Sequence, residues 1–176
     1  MYTYITYGSS FFLDKIKKKN SQRNLLSFYN ADSAYLYEET EEKTVFSAPQ
    51  TFINVFSDGT LQEKTTLLLY FIVKESRQEV FNTKPLPIEK LKQYEGYNAF
   101  RLLHPKQGET YVAVFQFDKK ELLEDFKKSS FFRENFSKEA LSTYQSEDIM
   151  ANIYYSKMLF VEKPDELEEN ELEIKD

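Results

Sequence analysis

The sequence predicts an α+β protein whose second half has a ferredoxin-like fold. Short apolar runs over residues 2–46 are typical of a small antiparallel sheet. From residue 63, longer elements follow in the order strand, helix, strand, strand, helix, strand, which is the ferredoxin-like pattern. With 41% hydrophobic and 16% aromatic residues, the 176-residue chain can bury a core. We therefore expect an N-terminal β-rich part over residues 1–62, a ferredoxin-like module over residues 63–161 and an acidic flexible tail over residues 162–176.

Five runs rich in Tyr, Phe, Leu, Ile and Val predict the strands of the N-terminal sheet. They cover residues 2–7, 11–16, 25–29, 35–38 and 44–46. Pro49 then suits the start of a helix, and Phe52, Ile53 and Phe56 recur at helical spacing. The sequence therefore predicts a short helix that ends at Gly59.

The second half is predicted from the alternation of apolar and polar segments. Strands are expected over residues 65–73, 99–103, 110–117 and 150–161, and helices around residues 80–81, 88–94, 119–126 and 131–136. Asp118 and Glu121 are spaced as a capping box, which predicts the start of the third of these helices.

Helices in this pattern cover only one face of the sheet. The other face carries Leu and Phe and must also be buried. We expect either a symmetric homodimer or an internal pairing with the N-terminal sheet.

Composition excludes several classes of function. The chain has no cysteine, which excludes disulfides, thiolate nucleophiles and cysteine-bound metal centres. Its four glycines are not spaced as a phosphate-binding loop. The longest apolar run, residues 67–73, is far shorter than the roughly 20 residues of a membrane-spanning helix. No secretory signal begins the sequence, so we expect a cytoplasmic protein.

Charge is concentrated at one end of the chain. Residues 162–176 carry eight acidic residues and two lysines, a net charge of −6 that equals the net charge of the whole protein. Residues 1–161 are therefore neutral overall, and we expect no nucleic-acid partner. A basic run suits either a solvated turn or a weak contact with anionic lipid or RNA. It consists of Lys15, Lys17, Lys18, Lys19 and Arg23.

The residues offer little catalytic chemistry. His104 is the only histidine and lies beside Pro105 at the end of a predicted strand, without a nucleophile-elbow sequence. We expect a surface or structural histidine, with a catalytic or metal-binding role as the alternative. Carboxylates cluster, as in the four glutamates within residues 38–42, which is typical of solvated faces. The sequence therefore predicts no catalytic residue and no metal site.

Several segments resemble the staphylococcal TRAP family of signal transduction proteins. They are YGSSFFLDKIK at residues 7–17, YEETEEKTVFSAP at residues 37–49, YFIV at residues 70–73, and FRLLHP, QGETY and EDFKKSSFFRENFSKEALSTY from residue 100 onward. The resemblance extends over nearly everything but the acidic tail. It implies a second half of the antibiotic biosynthesis monooxygenase type, whose ferredoxin-like modules pair as a dimeric α/β barrel.

That superfamily includes heme-degrading monooxygenases of the IsdG and HmoB type, which use an Asn, a Trp and a heme-ligating His. By motif position these residues fall at or near Leu69, at Phe117 and at Phe136. Phenylalanine has no lone pair for heme iron, so the resemblance implies a noncatalytic module without a cofactor. Tyr154 or Tyr155 could ligate iron as a phenolate, and a better-filled core is the other interpretation. These five residues form the candidate pocket.

The resemblance also implies a regulatory role. The family is described as membrane-associated, histidine-phosphorylated regulators tied to virulence signalling or stress protection. Its paired histidines correspond here to residues 63–65, and a further one to about Gln78, which leaves His104 as the only candidate phospho-acceptor. We expect a noncatalytic regulatory homodimer with an unidentified regulatory protein partner, cytoplasmic or peripheral on the inner face of the membrane. The alternative is a divergent heme-binding or heme-degrading monooxygenase.

Overall fold

The computed structural model describes residues 1–164, so most of the predicted acidic tail lies outside the described residues. Within this range there are eight strands: β1 (Tyr2–Gly8), β2 (Leu25–Tyr29), β3 (Ala34–Thr40), β4 (Gln50–Asp58), β5 (Thr65–Ile72), β6 (Tyr97–Pro105), β7 (Thr110–Phe117) and β8 (Tyr154–Leu159). The α-helices of the same range are α1 (Ser10–Lys19), α2 (Gln78–Thr83), α3 (Ile88–Leu91), α4 (Lys120–Lys127), α5 (Ser130–Asn135) and α6 (Lys138–Leu141).

The strands form one antiparallel sheet that curves into a nearly closed barrel. Their order is β2-β3-β1-β4-β6-β7-β5-β8. Tyr29, at the end of β2, and Phe160, just after β8, exchange two backbone hydrogen bonds of 2.7 and 2.8 Å. These bonds join the two edge strands at one point, so the sheet is nearly closed.

Each half of the sheet has the same ferredoxin-like strand order. The first four strands are arranged β2-β3-β1-β4 and the last four β6-β7-β5-β8. In the second half, helices follow the first and third strands, which confirms the predicted ferredoxin-like pattern. In the first half α1 follows β1, but an irregular segment over residues 41–49 replaces the second helix.

A separate N-terminal sheet is not confirmed. Strand β4 pairs with β6 in antiparallel register, with Phe52 opposite Pro105 and Asp58 opposite Phe100. The N-terminal strands are therefore continuous with the strands of the second half.

Inside the barrel, the two halves cover each other. Ile5, Phe28 and Phe52 of the first half pack against Leu68 and Val112 of the second. We call this buried set the lumen core. It covers the sheet face that the helices leave open, so the structure has the internal pairing that was one of the two expected solutions. A homodimer through another surface stays a prediction.

A second core lies on the outer face of the C-terminal strands, beneath α2–α6. We call it the helix-side core. It is rich in aromatic residues, most of them fully buried. Its aromatic members include Phe71, Phe81, Phe100, Tyr111, Phe115, Phe117, Phe126, Phe131, Phe132 and Phe136.

Three local predictions in the first half are wrong. Residues 11–16 lie in helix α1 because only Leu13 and Ile16, at helical spacing, pack inward, while Phe11 and Phe12 are exposed. Residues 44–46 are irregular, and Phe46 packs beneath α1.

The predicted helix over residues 49–58 is the strand β4. A bulge between Asn54 and Phe56 shifts its register, so the consecutive side chains of Val55 and Phe56 both pack against the helix-side core. Such a bulge interrupts the alternation of a strand, which explains why the apolar spacing suggested a helix.

The predicted capping box of α4 is also wrong. Lys119 occupies the N-cap position without a side-chain hydrogen bond. The Asp118 carboxylate instead accepts a 2.7 Å hydrogen bond from Lys64. None of the helices in residues 1–164 is long and apolar enough to cross a membrane.

Gly59 gives a test of the junction between the halves. Both Gly59 (φ 68°) and Gly108 (φ 92°) have positive φ, but only at Gly59 would an added Cβ overlap the Asn98 carbonyl oxygen and lie 3.1 Å from the Cα of Ala99, in β6. We expect Gly108→Ala to cost about 1–2 kcal/mol from backbone strain alone. Gly59→Ala should cost more, because the β6 backbone must also move. Urea unfolding measures both, and equal losses would contradict the argument.

Candidate functional site

The three positions that correspond to heme-enzyme residues come together in the helix-side core. Leu69 lies in β5, Phe117 ends β7, and Phe136 follows the last residue of α5. Each has a relative exposure of 0–1%. All three positions that the resemblance singles out therefore lie in one buried apolar cluster.

Aromatic rings fill the space around Phe136. Its ring centroid lies 5.2 Å from that of Phe115, 5.8 Å from Phe100, 6.2 Å from Phe131 and 6.3 Å from Phe71. These are ordinary separations for packed edge-to-face and tilted rings. The side chain at this position is therefore a central packing element.

Tyr154 and Tyr155 lie on opposite faces of the sheet because they are consecutive in a strand. Tyr154 packs against the helix-side core, and its hydroxyl donates a 2.6 Å hydrogen bond to the carbonyl of Phe136. Burial, followed by the nearby Glu139 carboxylate, raises the pKa of Tyr154. Tyr155 stacks on Tyr70 with 4.9 Å between ring centroids and is 44% exposed. The five candidate pocket residues are therefore not one site, since Tyr155 is separated from the other four.

These residues do not fit a heme. Phe136 has no atom that can coordinate iron, and its ring is surrounded by other rings. A phenolate ligand at Tyr154 is disfavoured because its pKa is raised and its proton is held by the Phe136 carbonyl. The geometry therefore favours a filled core over a cofactor chamber.

His104, in β6, is held by a short chain of polar side chains. The buried Tyr111 hydroxyl donates a 2.7 Å hydrogen bond to Oδ1 of Asn82 and also contacts Nδ1 of His104 at 2.5 Å. With the tyrosine proton committed to Asn82, Nδ1 of His104 must be the donor in the second bond. Burial lowers the pKa of His104, and it raises the pKa of Tyr111 to about 12. The imidazole is thus favoured in its neutral form, with the lone pair on Nε2.

The basic run is only partly available for binding. Lys17 forms an ion pair with Glu63, and Arg23 forms ion pairs with Glu38 and Glu42. Both cations are therefore neutralised by carboxylates of the same chain.

A feature that sequence reasoning missed is the outer face of α1. Phe11 and Phe12 are 63% and 65% exposed, and the exposed Lys15, Lys18 and Lys19 lie on the following turns. The Lys15 ammonium lies 4.1 Å from the centre of the Phe11 ring. The sequence carries this signal as an aromatic pair followed by lysines, but the same apolar run also predicts a strand over residues 11–16.

No protein-family model matches the chain. A curated relative, the signal transduction protein TRAP of Staphylococcus epidermidis, is 33% identical over 162 residues, which cover 91% of this chain and 97% of that protein. A solved structure described as a major regulator of staphylococcal pathogenesis has a TM-score of 0.83 at 30% identity, and the match covers 93% of this chain and all of that one.

More distant structures share the fold. A ferredoxin-fold protein of Listeria monocytogenes related to antibiotic biosynthesis monooxygenases has a TM-score of 0.72 at 15% identity, covering 92% of this chain and 94% of that one. The heme-degrading enzyme LmHde of the same species has a TM-score of 0.71 at 13% identity, covering 92% of this chain and all of that one. These two likenesses concern architecture alone.

The buried environment of His104 predicts a defined pH dependence. Because its folded pKa lies below the unfolded value of about 6.5, the unfolded chain binds more protons in this range, and stability falls as pH drops below 6.5. We expect the free energy of unfolding of the wild type to exceed that of His104→Gln by more at pH 7.5 than at pH 5. Urea titrations at both pH values measure this difference, and a pH-independent difference would contradict it.

Proposed function

Because the chain belongs to the family of the signal transduction protein TRAP, we propose that it is a regulatory protein whose ferredoxin-like module has no catalytic role. The observation that carries the proposal is the closed packing of Phe136, at the position where heme-degrading enzymes of this fold have an iron ligand. Four aromatic rings surround it, so a substrate chamber would require the core to open. Regulation then works through the surface of the protein.

We infer that residues 1–62 and 63–161 act as two related halves of one barrel, followed by the acidic tail. Strand pairing between β4 and β6 supports a rigid connection between the halves. The barrel that separate subunits build in dimeric relatives of this superfamily is here supplied within the chain. A homodimer, if formed, would use the outer surface.

His104 is the only side chain that could carry phosphohistidine in this protein. Its neutral imidazole, with Nδ1 bound to Tyr111, leaves Nε2 as the nucleophilic atom. This geometry supports Nε2 as the acceptor atom if the signalling of the family uses histidine phosphorylation here.

A second proposal is that α1 holds the protein at a membrane surface. Phe11 and Phe12 are exposed beside lysines, and a helix with an aromatic face and basic neighbours suits the interface of an anionic bilayer. Lys17 and Arg23 contribute little to such binding because carboxylates already neutralise them.

A hemin titration separates the regulatory proposal from the enzymatic alternative. We expect no saturable shift of the Soret band and no bleaching after ascorbate is added in air, because neither Phe136 nor Tyr154 offers a ligand. Tyr154→Phe is the matched variant, since it removes the phenol and keeps the ring. A saturable shift in the wild type that this variant loses would overturn the noncatalytic assignment.

The regulatory role itself is tested in the native host. Deletion of the gene should change the levels of a defined set of transcripts, and both the wild type and Tyr154→Phe should restore them. A deletion that leaves all transcript levels unchanged would contradict a regulatory role. Rescue by the wild type but not by Tyr154→Phe would instead favour chemistry at this tyrosine.

Vesicle flotation tests the membrane proposal. We expect wild-type protein to float with vesicles that contain phosphatidylglycerol and not with neutral phosphatidylcholine vesicles, and to be released by high salt. The double variant Phe11→Ser/Phe12→Ser should lose at least about half of this binding, since both apolar anchors are removed. Val80→Ser, at another exposed apolar residue, is the control. Equal flotation of all three proteins would contradict the role of α1.

A further inference from the structure

One end of the barrel lumen is lined by tyrosines from four strands. Tyr7 lies in β1, Tyr35 in β3, Tyr70 in β5 and Tyr155 in β8. Tyr7 and Tyr35 are opposite each other in the β1–β3 register, and so are Tyr70 and Tyr155 in the β5–β8 register. Closure of the barrel brings these two pairs close enough for Lys157 to contact members of both.

Lys157 occupies the centre of this end. It follows Tyr155 by two residues, so both side chains point to the same face of β8. Its Nζ donates a 3.2 Å hydrogen bond to the Tyr35 hydroxyl, 122 residues away in sequence. The same Nζ lies 5.4 Å from the ring centre of Tyr7, 5.7 Å from that of Tyr35 and 5.9 Å from that of Tyr155.

The ammonium of Lys157 has no carboxylate counter-ion among residues 1–164. The more buried Arg101 pairs with Glu39, and Arg23 with Glu38, whereas the partners of Lys157 are all tyrosines. Burial lowers the pKa of Lys157, but the hydrogen bond to Tyr35 and the attraction of the phenols raise it by more, so the pKa lies above its usual value. The side chain is therefore a cation at neutral pH.

The hydroxyl group of Tyr35 accepts hydrogen bonds but donates none within residues 1–164. Its oxygen accepts hydrogen bonds from Lys157 at 3.2 Å and from Asn30 at 3.4 Å. Its own O–H has no acceptor within the described part of the chain, although the side chain is only 3% exposed. A buried donor beside a cation that has no carboxylate partner within residues 1–164 is a combination that an anion would satisfy.

Space for a ligand adjoins the cluster. Tyr7 of the cluster also lines an open depression of about 380 Å³, together with Ile5, Thr6, Ala48, Pro49 and Gln50. Gln50 accepts a 3.0 Å hydrogen bond from the Tyr70 hydroxyl, which connects the cavity wall to the tyrosines. Such a volume suits a small organic molecule.

We propose that this tyrosine-lined end of the barrel binds a small aromatic carboxylate, with the carboxylate on Lys157 and Tyr35 and the ring against Tyr7 and Tyr155. Two features select this class of ligand. One ammonium balances a single negative charge, which favours a carboxylate over a phosphate dianion. The exposed faces of Tyr7 (55%) and Tyr155 (44%) offer flat apolar walls for an aromatic ring.

This site is distinct from the helix-side core and does not rest on the regulatory role. It uses the opposite face of β8, so the filled packing around Phe136 has no bearing on it. Without a ligand, Lys157 would act only as a structural cap that closes the barrel end through cation–π contacts.

Isothermal titration calorimetry with sodium benzoate tests the proposal on the full chain. We expect saturable one-to-one binding to the wild type and at least about tenfold weaker binding of benzyl alcohol, which lacks the charge. Lys157→Met should weaken benzoate binding at least about tenfold as well, while Lys127→Met, at an exposed lysine of α4 on the helix side, should leave it unchanged.

Tyr35→Phe removes the hydroxyl donor and keeps the ring. It gives a second test if circular dichroism shows that Lys157→Met is unfolded. We expect weaker benzoate binding in this variant too. The proposal is overturned by the absence of saturable binding, by equal affinity of the wild type and Tyr35→Phe, or by inorganic phosphate binding as tightly as benzoate. The first result would leave Lys157 as a structural cap.

Discussion

The pairing of β4 with β6 holds the two halves of the barrel together. It joins two ferredoxin-like strand sets edge to edge, and the bridge between Tyr29 and Phe160 then brings the outer edges together. Neither set could bury its inner face alone, because helices lie on one side only. When the two strand sets are joined, each buries the inner face of the other, and one chain forms an apolar lumen.

Closure gives the protein two interiors with different character. The helix-side core is packed with aromatic rings, and the position of a heme ligand in distant relatives of the fold is occupied here by a ring that touches four others. The lumen core is apolar in the middle and polar at its ends, where Arg101 pairs with Glu39 and where Lys157 meets the tyrosines. The first interior thus presents packed rings, while the second presents charged and hydroxyl groups at its ends.

A regulatory protein of this family can share its fold with distant enzymes. A fold does not determine a function, since function resides in particular side chains placed on it. In this chain the side chains that would hold a cofactor are apolar, and those with unsatisfied polarity lie at the barrel end and on α1. Surfaces of this kind suit recognition of a ligand, a membrane or a partner better than they suit redox chemistry.

The second half of the fold could be predicted from the amino-acid sequence, because its strands and helices follow local apolar periodicity. The apolar run of β5, the turn before β7 and the stripe of Leu123 and Phe126 each reflect contacts that follow from a regular strand or helix. Resemblance of motifs likewise identified the family and placed Leu69, Phe117 and Phe136 in one cluster. These predictions needed no knowledge of distant pairing.

The element types of the first half and the composition of the lumen depend on long-range strand pairing. The apolar pair Phe11 and Phe12 suggested a strand, because the sequence does not show that both side chains are exposed on α1. The bulge in β4 gave its apolar residues a helical spacing. In both cases, burial and register depend on the neighbouring element. The cluster of Lys157 with Tyr7 and Tyr35 joins residues from opposite ends of the chain. A local sequence pattern does not show which distant strands will be neighbours in a barrel. This site could therefore not be predicted from the sequence, because closure of the sheet brings its residues together.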